Sequence, residues 1–330
     1  MKRRVKVHNQ TVIYHCISRV VGGEMLLGDT EKEILRKQMW QVADFCGIQI
    51  LTYCIMSNHF HILIKVPHIN NDDLTNQELV RRFSVLYPTP TPRQPMLVDD
   101  FEKYVNSSTL KAKELRDDML SKMHDVSMFM KILKQRFTNW YNKTNGRFGT
   151  FWAERYKSLL IENTRTAKLI LAAYIDLNPV RAKLVTDPKD YRFCGYGETT
   201  RGNINALNGI SIILESNDSS AANVQDYRML LYAGGSTSAK NKKPNAGKLE
   251  MQNENTAQSP SDSFDATSLH QKNRYLTDGM FLGRKDFVEE CFTKFRDLFG
   301  NKRTSGSRKM KYHTHSTIFV ARDLKKDINP

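Results

Sequence analysis

The run Cys54-Ile55-Met56-Ser57-Asn58-His59-Phe60-His61-Ile62-Leu63-Ile64 constrains this chain more than any other stretch. It is apolar enough to read as buried strand, yet two histidines flank one bulky apolar residue within it. Side chains alternate faces along a strand, so His59 and His61 share one face while Phe60 and Ile62 take the other. Two imidazoles side by side on a rigid strand can grip one metal ion. A second pair, His313 and His315, lies among lysines and threonines. A core strand holds ligands to the tolerance a metal needs better than a charged tail does, which favours the first pair. Taken alone, a His-x-His is weak evidence, because most such histidines are simply hydrogen-bonded.

The surrounding pattern gives the organisation. Residues 11–20 are rich in β-branched and aromatic types and read as a strand. Thr30 with Glu33 makes a capping box ahead of Ile34, Leu35, Met39 and Val42 at helical spacing, and Gly47 stops that helix. Strands follow over 48–57 and 59–66, so the opening reads strand, helix, strand, strand. Residues 67–124 read as an insertion, with Pro88, Pro90, Pro92 and Pro95 in a loop between charged helical pieces. A helix is expected over 126–142, a strand over 148–161, and a helix over 165–178 capped by Asn163 or Thr164 and stopped by Pro179. Beyond residue 200 order thins out, and 235–267 read as flexible linker. Val288, Cys291, Phe292, Phe295 and Leu298 restore an amphipathic helix before a basic tail. The expected division is 1–200 as the main domain with the 67–124 insertion, 201–267 as variable region and linker, and 268–330 as a C-terminal accessory segment.

Charge narrows the partners. Lys and Arg number 50 against 35 Asp and Glu, a net charge of +15, which favours a polyanion such as nucleic acid. The five cysteines show no C-x-x-C spacing and read as reduced thiols of a cytosolic protein. No apolar run approaches membrane-spanning length, and the basic start at Met1-Lys2-Arg3-Arg4 is not followed by a signal-peptide core. Membrane partners are therefore not expected.

Tyr174 and Asn178 stand four apart on the 165–178 helix and share a face, which suits a phenol nucleophile beside an amide ligand. A helical tyrosine between Ala173 and Ile175 is more often core, and Tyr156 is a rival phenol.

Together, Asn58-His59-Phe60-His61, Tyr156-Lys157-Ser158 and Tyr174-Ile175-x-x-Asn178-Pro179-Val180-Arg181-Ala182 resemble the single-tyrosine HUH insertion-sequence transposases, and among them the REP-associated tyrosine transposases. Ser18-Arg19, Phe45-Cys46-Gly47, Leu51-Thr52-Tyr53 and Gly149-Thr150-Phe151-Trp152 fit the same template over roughly 10–196. The resemblance implies an α+β fold: a ferredoxin-like antiparallel sheet with packed helices, the HUH nuclease core, plus the insertion and a C-terminal helical and basic extension. It implies metal-dependent cleavage and rejoining of single-stranded or hairpin DNA through a 5′-phosphotyrosine. Carried over, His59 and His61 are metal ligands, Asn178 the third ligand where many relatives carry Gln, and Tyr174 the nucleophile. The metal would be Mg²⁺ or Mn²⁺, and the setting the DNA-associated bacterial cytosol, as a monomer or homodimer.

Arg19, Lys131, Lys134, Arg136, Arg147, Arg155, Lys157 and Trp152 are the expected DNA contacts, basic groups for phosphates and an aromatic for unpaired bases. Two rival readings stand beside the transposase: a domesticated hairpin-DNA-binding protein without turnover, and a metal-dependent phosphoesterase that uses water.

Overall fold

The computed structural model describes residues 5–7, 9–70, 73–217, 221–232, 275–309 and 317–321. The chain opens with β1 (Val12–Arg19), α1 (Asp29–Cys46), β2 (Gln49–Ile55) and β3 (His59–Val66), in the expected order. Then come α2 (Asn76–Leu86), α3 (Val98–Val105), α4 (Leu110–Leu120), α5 (Val126–Thr144), β4 (Lys157–Ile161), α6 (Arg165–Asp176) and the single turn α7 (Asn178–Arg181). The remainder holds α8 (Gly195–Thr199), α9 (Ile204–Leu214), α10 (Ala221–Tyr232), α11 (Tyr275–Asp278), β5 (Phe281–Gly283), α12 (Lys285–Lys294), β6 (Arg308–Lys309) and β7 (Phe319–Ala321).

The strands form one sheet in the order β2-β3-β1-β4-β5-β7-β6. Each neighbouring pair among its first four members is antiparallel, which is the ferredoxin-like arrangement of a β-α-β-β-α-β chain. The fold is α+β, as expected. β4 and β5 pair in parallel, so the sheet as a whole is mixed. The C-terminal segment therefore does more than add a helix and a basic tail. Phe281, Leu282 and Val320 are buried strand residues that continue the sheet past β4.

Alternation along β2 and β3 sorts the two faces. Tyr53, Ile55, Phe60 and Ile62 point to one side, where Tyr53 meets Trp40 of α1 at 6.1 Å between ring centroids and Phe60 meets Trp152 at 5.3 Å. Phe137 of α5 closes on the same Trp152 at 5.7 Å. The other side carries Thr52, Cys54 and His61 beneath α6 and α9. Gly209 lets α9 lie directly on β2: a Cβ there would stand 2.3 Å from the Leu51 carbonyl oxygen.

Several boundaries differ from the expectations. α1 starts at Asp29 behind Gly28 with no side-chain cap, so Thr30 is already helical and Glu33 turns instead to Arg36. Gly47 does end α1, in the left-handed conformation with φ 64°. The strand expected over 148–161 shrinks to its last five residues, because Trp152 is held by a lone bridge to Val20. Pro179 does not stop the chain's helical course. It is the second residue of α7, where its missing N–H costs nothing.

The insertion holds α2, α3 and α4 with the four prolines in the non-helical 87–97 stretch, and its helices are packed: Leu79, Phe83 and Phe101 are fully buried, and the last two stack at 4.2 Å. Order also persists past residue 200, where the Tyr227 hydroxyl of α10 donates to Asp176 of α6 at 2.7 Å. The 235–267 linker, His313, His315 and most of the basic tail lie outside the described residues. Among the described residues no helix is long and apolar enough to cross a membrane.

Candidate active site

The site lies on the α6 face of the sheet and is assembled from strands β1 to β3 and helices α6, α7 and α11. β3 supplies His59 and His61, whose ring centroids are 5.1 Å apart. α6 brings Tyr174 down on them, with its ring 5.9 Å from that of His61 and edge-on at 86°. α6 is held at this height by Asp176, a fully buried carboxylate that accepts from the Thr52 hydroxyl at 2.8 Å, the Tyr196 backbone N–H at 3.1 Å and Tyr227. Residues separated by more than a hundred positions thus meet around one point.

Each histidine of the pair is pinned through Nδ1. His59 Nδ1 lies 2.6 Å from Asn58 Oδ1, and the Asn58 amide nitrogen donates to the Gly23 carbonyl at 3.1 Å. That second bond fixes which end of the amide is oxygen, so His59 donates from Nδ1. His61 Nδ1 lies 2.9 Å from Nε2 of His15, a β1 residue missed by the sequence reading. His15 Nδ1 in turn lies 2.9 Å from the Leu276 carbonyl oxygen in α11. Burial pushes the pKa of His15 down to about 4. It also pushes His61 well below the usual histidine range, with the charges of neighbouring histidines and arginines adding to the effect. Both imidazoles are neutral near pH 7, the state in which an imidazole can ligate a metal.

Tyr174 is 3 % exposed, and that desolvation raises its pKa. Arg181 and Arg19 oppose the rise through their charge. The Arg181 guanidinium lies 4.1 Å from the Tyr174 ring centroid and donates to the Tyr174 carbonyl at 2.5 Å. Arg19 faces His59 across the β1–β3 register. Arg181 belonged to the quoted motif but was given no role; only the turn at α7 reveals that it folds back over the phenol. The rival Tyr156 is on the opposite side of the sheet, bonded to the Ser127 hydroxyl of α5 at 3.0 Å.

The donor set fits a divalent ion in part. His59 and His61 stand on one strand face with Nδ1 engaged, which turns Nε2 of each toward a prospective ligand. The Asn178 amide nitrogen is buried with no hydrogen-bond partner, and amide ends exchange by a simple flip that would present oxygen at that place. No group of three or more His, Cys, Asp or Glu suited to a metal occurs among the described residues, so a third ligand has to be an amide, water or substrate oxygen.

The expected DNA contacts separate into groups. Lys131, Lys134, Trp152 and Arg155 line one groove of about 580 Å³ between α5 and the 149–156 segment. Lys134 lies 5.5 Å from the Trp152 ring and donates to the Glu154 carbonyl. Trp152 is buried against Phe60 and Phe137, so it serves as the groove's floor and not as a free stacking platform. The 149–156 segment is tied to the end of β1 where the Ala153 N–H donates to the Arg19 carbonyl at 3.0 Å. Lys157 pairs with Asp278 at 3.3 Å, and Arg147 lies half-buried in the loop after α5. Arg136 does not belong with them: its guanidinium sits 5.8 Å from the Tyr87 ring, against the insertion.

The chain is similar to known proteins over part of its length. None of the curated proteins matches it. A solved structure described as the REP associates tyrosine transposase bound to a REP hairpin aligns with 61 % of this chain and 87 % of its own, at 14 % identity and a TM-score of 0.39. Residues 8–77 match the family model described as Transposase IS200 like. These residues, which carry β1 to β3 and the histidine pair, are what in this chain is similar to the IS200-like transposases.

Proposed function

We propose that this chain is a metal-dependent, transposase-type endonuclease and strand transferase that cleaves and rejoins single-stranded or hairpin DNA through Tyr174. The transposase character rests on the match of residues 8–77. The chemistry rests on one observation, the packing of the Tyr174 ring 5.9 Å from His61 beside His59. Mg²⁺ or Mn²⁺ held by His59, His61 and Asn178 would polarise the scissile phosphate and offset charge on the leaving 3′-oxygen.

The chain's own groups do the rest. The Tyr174 hydroxyl attacks phosphorus, forming a 5′-phosphotyrosine as the bond to the 3′-oxygen breaks. The phenol gives up a proton and the 3′-oxygen takes one up, so the step is neutral in protons. Arg181 and Arg19 hold positive charge where the phenolate forms. Because the phosphodiester energy is kept in the tyrosine ester, a second 3′-hydroxyl can reverse the step on another end without ATP. The groove lined by Lys131, Lys134 and Arg155 offers cations along the DNA backbone.

The burial of Tyr174 favours one rival, a hairpin-binding protein without turnover. A labelled single-stranded hairpin incubated with the protein and Mn²⁺, then run on a denaturing gel, separates the readings. A covalent protein–DNA band that vanishes in Tyr174→Phe is the expected result. Binding with no adduct would leave the binding protein standing, and cleavage that survives Tyr174→Phe would leave a water-using phosphoesterase.

A further inference from the structure

We propose that His15 is a positioning residue for the metal ligand His61, setting its tautomer through a hydrogen-bonded chain anchored on the C-terminal segment. This deepens the proposed function and rests on it for the role of His61. The chain runs from the Leu276 carbonyl to His15 Nδ1 at 2.9 Å, then from His15 Nε2 to His61 Nδ1 at 2.9 Å. A carbonyl oxygen can only accept, so His15 Nδ1 carries a hydrogen. His15 is fully buried, and a buried imidazole avoids the charged form, so its Nε2 is a bare acceptor. His61 therefore donates from Nδ1, and its Nε2 lone pair is the one left for a ligand. The backbone enforces the geometry as well. In the β1–β3 register Ile17 faces His61 and His15 faces Leu63, so the two histidines are diagonal neighbours on one sheet face. Their rings are 5.1 Å apart and inclined by only 23°.

The anchor gives the C-terminal segment a place in the site. α11 is held against β4 by the β4–β5 pairing and by the bond from the Leu160 N–H to the Met280 carbonyl at 2.9 Å. The Leu276 carbonyl is thereby a fixed acceptor, not a loop contact. His59 has a local partner of its own in Asn58, so the two ligands are oriented independently.

The test uses the full-length protein in three forms: wild type, His15→Leu, and His15→Gln, whose amide oxygen can accept in place of Nε2. Imidazole ¹⁵N NMR on the metal-free protein reads the His61 tautomer directly. Mn²⁺ titration and hairpin-DNA titration give the two affinities. Expected are an Nδ1–H His61 in wild type and its loss in His15→Leu, with Mn²⁺ affinity falling roughly 10–100-fold while DNA affinity holds. His15→Gln should recover most of both readouts. An Nε2–H His61 in wild type, an unchanged tautomer in His15→Leu, or no recovery in His15→Gln would overturn the proposal. Wild type that has the expected tautomer but binds no Mn²⁺ would count against the metal-dependent function alone, since the tautomer readout needs no metal.

Discussion

Removing one imidazole from the β3 pair tests how the work is divided among single residues. His59 is half-buried at the start of the strand, with Nδ1 against its neighbour Asn58, so its loss opens no fully enclosed core cavity. In the proposed function its contribution is the Nε2 lone pair. DNA affinity should rest instead on cations spread along the groove. His59→Ala is thus expected to abolish Mn²⁺-dependent cleavage of the hairpin while the Kd for hairpin DNA, measured by filter binding, stays within a few-fold. A collapse of binding would show that the ligand pair itself holds the DNA. That the two histidines share a face was readable from the period-2 alternation of one strand, and the nearness of Tyr174 to them was implied only by a motif carried over. His15 was not readable, because in Tyr14-His15-Cys16-Ile17 a single histidine looks like any satisfied core residue until the β1–β3 register is known. Arg181 was hidden for a similar reason. After Asn178-Pro179 a basic residue reads as solvent-facing, and only the α7 turn brings it back over the phenol.

At the scale of elements, α1 shows how a helix is fixed by what its charged face meets. Glu33 accepts from Arg36 at 2.6 Å within α1 and from Arg192 at 3.2 Å just ahead of α8. Arg36 also pairs with Glu198 of α8, which accepts from the Trp40 indole at 3.0 Å. The hydrogen bond from Arg36 is the main reason the Glu33 pKa is lowered to about 2. A depressed carboxylate stabilises the fold above its unfolded pKa, and that contribution is lost as pH falls from about 4.5 to about 2. A fall from 4.5 to about 2 corresponds to at most about 3.4 kcal/mol, and partial exposure of the pair reduces this to about 1–2 kcal/mol. Glu33→Gln should therefore lose about that much less stability than wild type between pH 7 and pH 3, read from urea unfolding at each pH. An identical loss in both proteins would remove Glu33 as a source of the acid sensitivity. The same residue explains a misreading, since Thr30-x-x-Glu33 has the form of a capping box but arginine partners outcompete the helix end for the carboxylate. The C-terminal strands escaped notice for a different reason. At two or three residues each, β5, β6 and β7 are too short to carry a periodic signal, and they exist because β4 offers them an edge.

The whole molecule carries a net charge of +15, which sequence alone could convert into a polyanionic partner but not into a binding surface. The fold sorts that charge. Lys131 is exposed in the groove beside Trp152 and Arg155, whereas Arg136, five positions later on α5, is half-buried over Tyr87. The two are indistinguishable in the sequence and lie on different sides of one helix in the structure. Each phosphate neutralised by a protein cation releases condensed counterions, so log Kobs falls with log salt by about 0.7 per contact on single strands and about 0.9 on duplex. Lys131→Gln should then flatten the salt dependence of hairpin binding by just under one contact's worth and weaken affinity about equally for all sequences. Arg136→Gln should leave the slope unchanged, and any loss of binding it causes should follow a loss of thermal stability where α5 meets the insertion. Titrations of hairpin DNA at four or five salt concentrations, set beside a melting curve for each variant, read both effects. Were Arg136 to change the slope and Lys131 not, the DNA path would run over the insertion, and the groove between α5 and the 149–156 segment would have some other occupant.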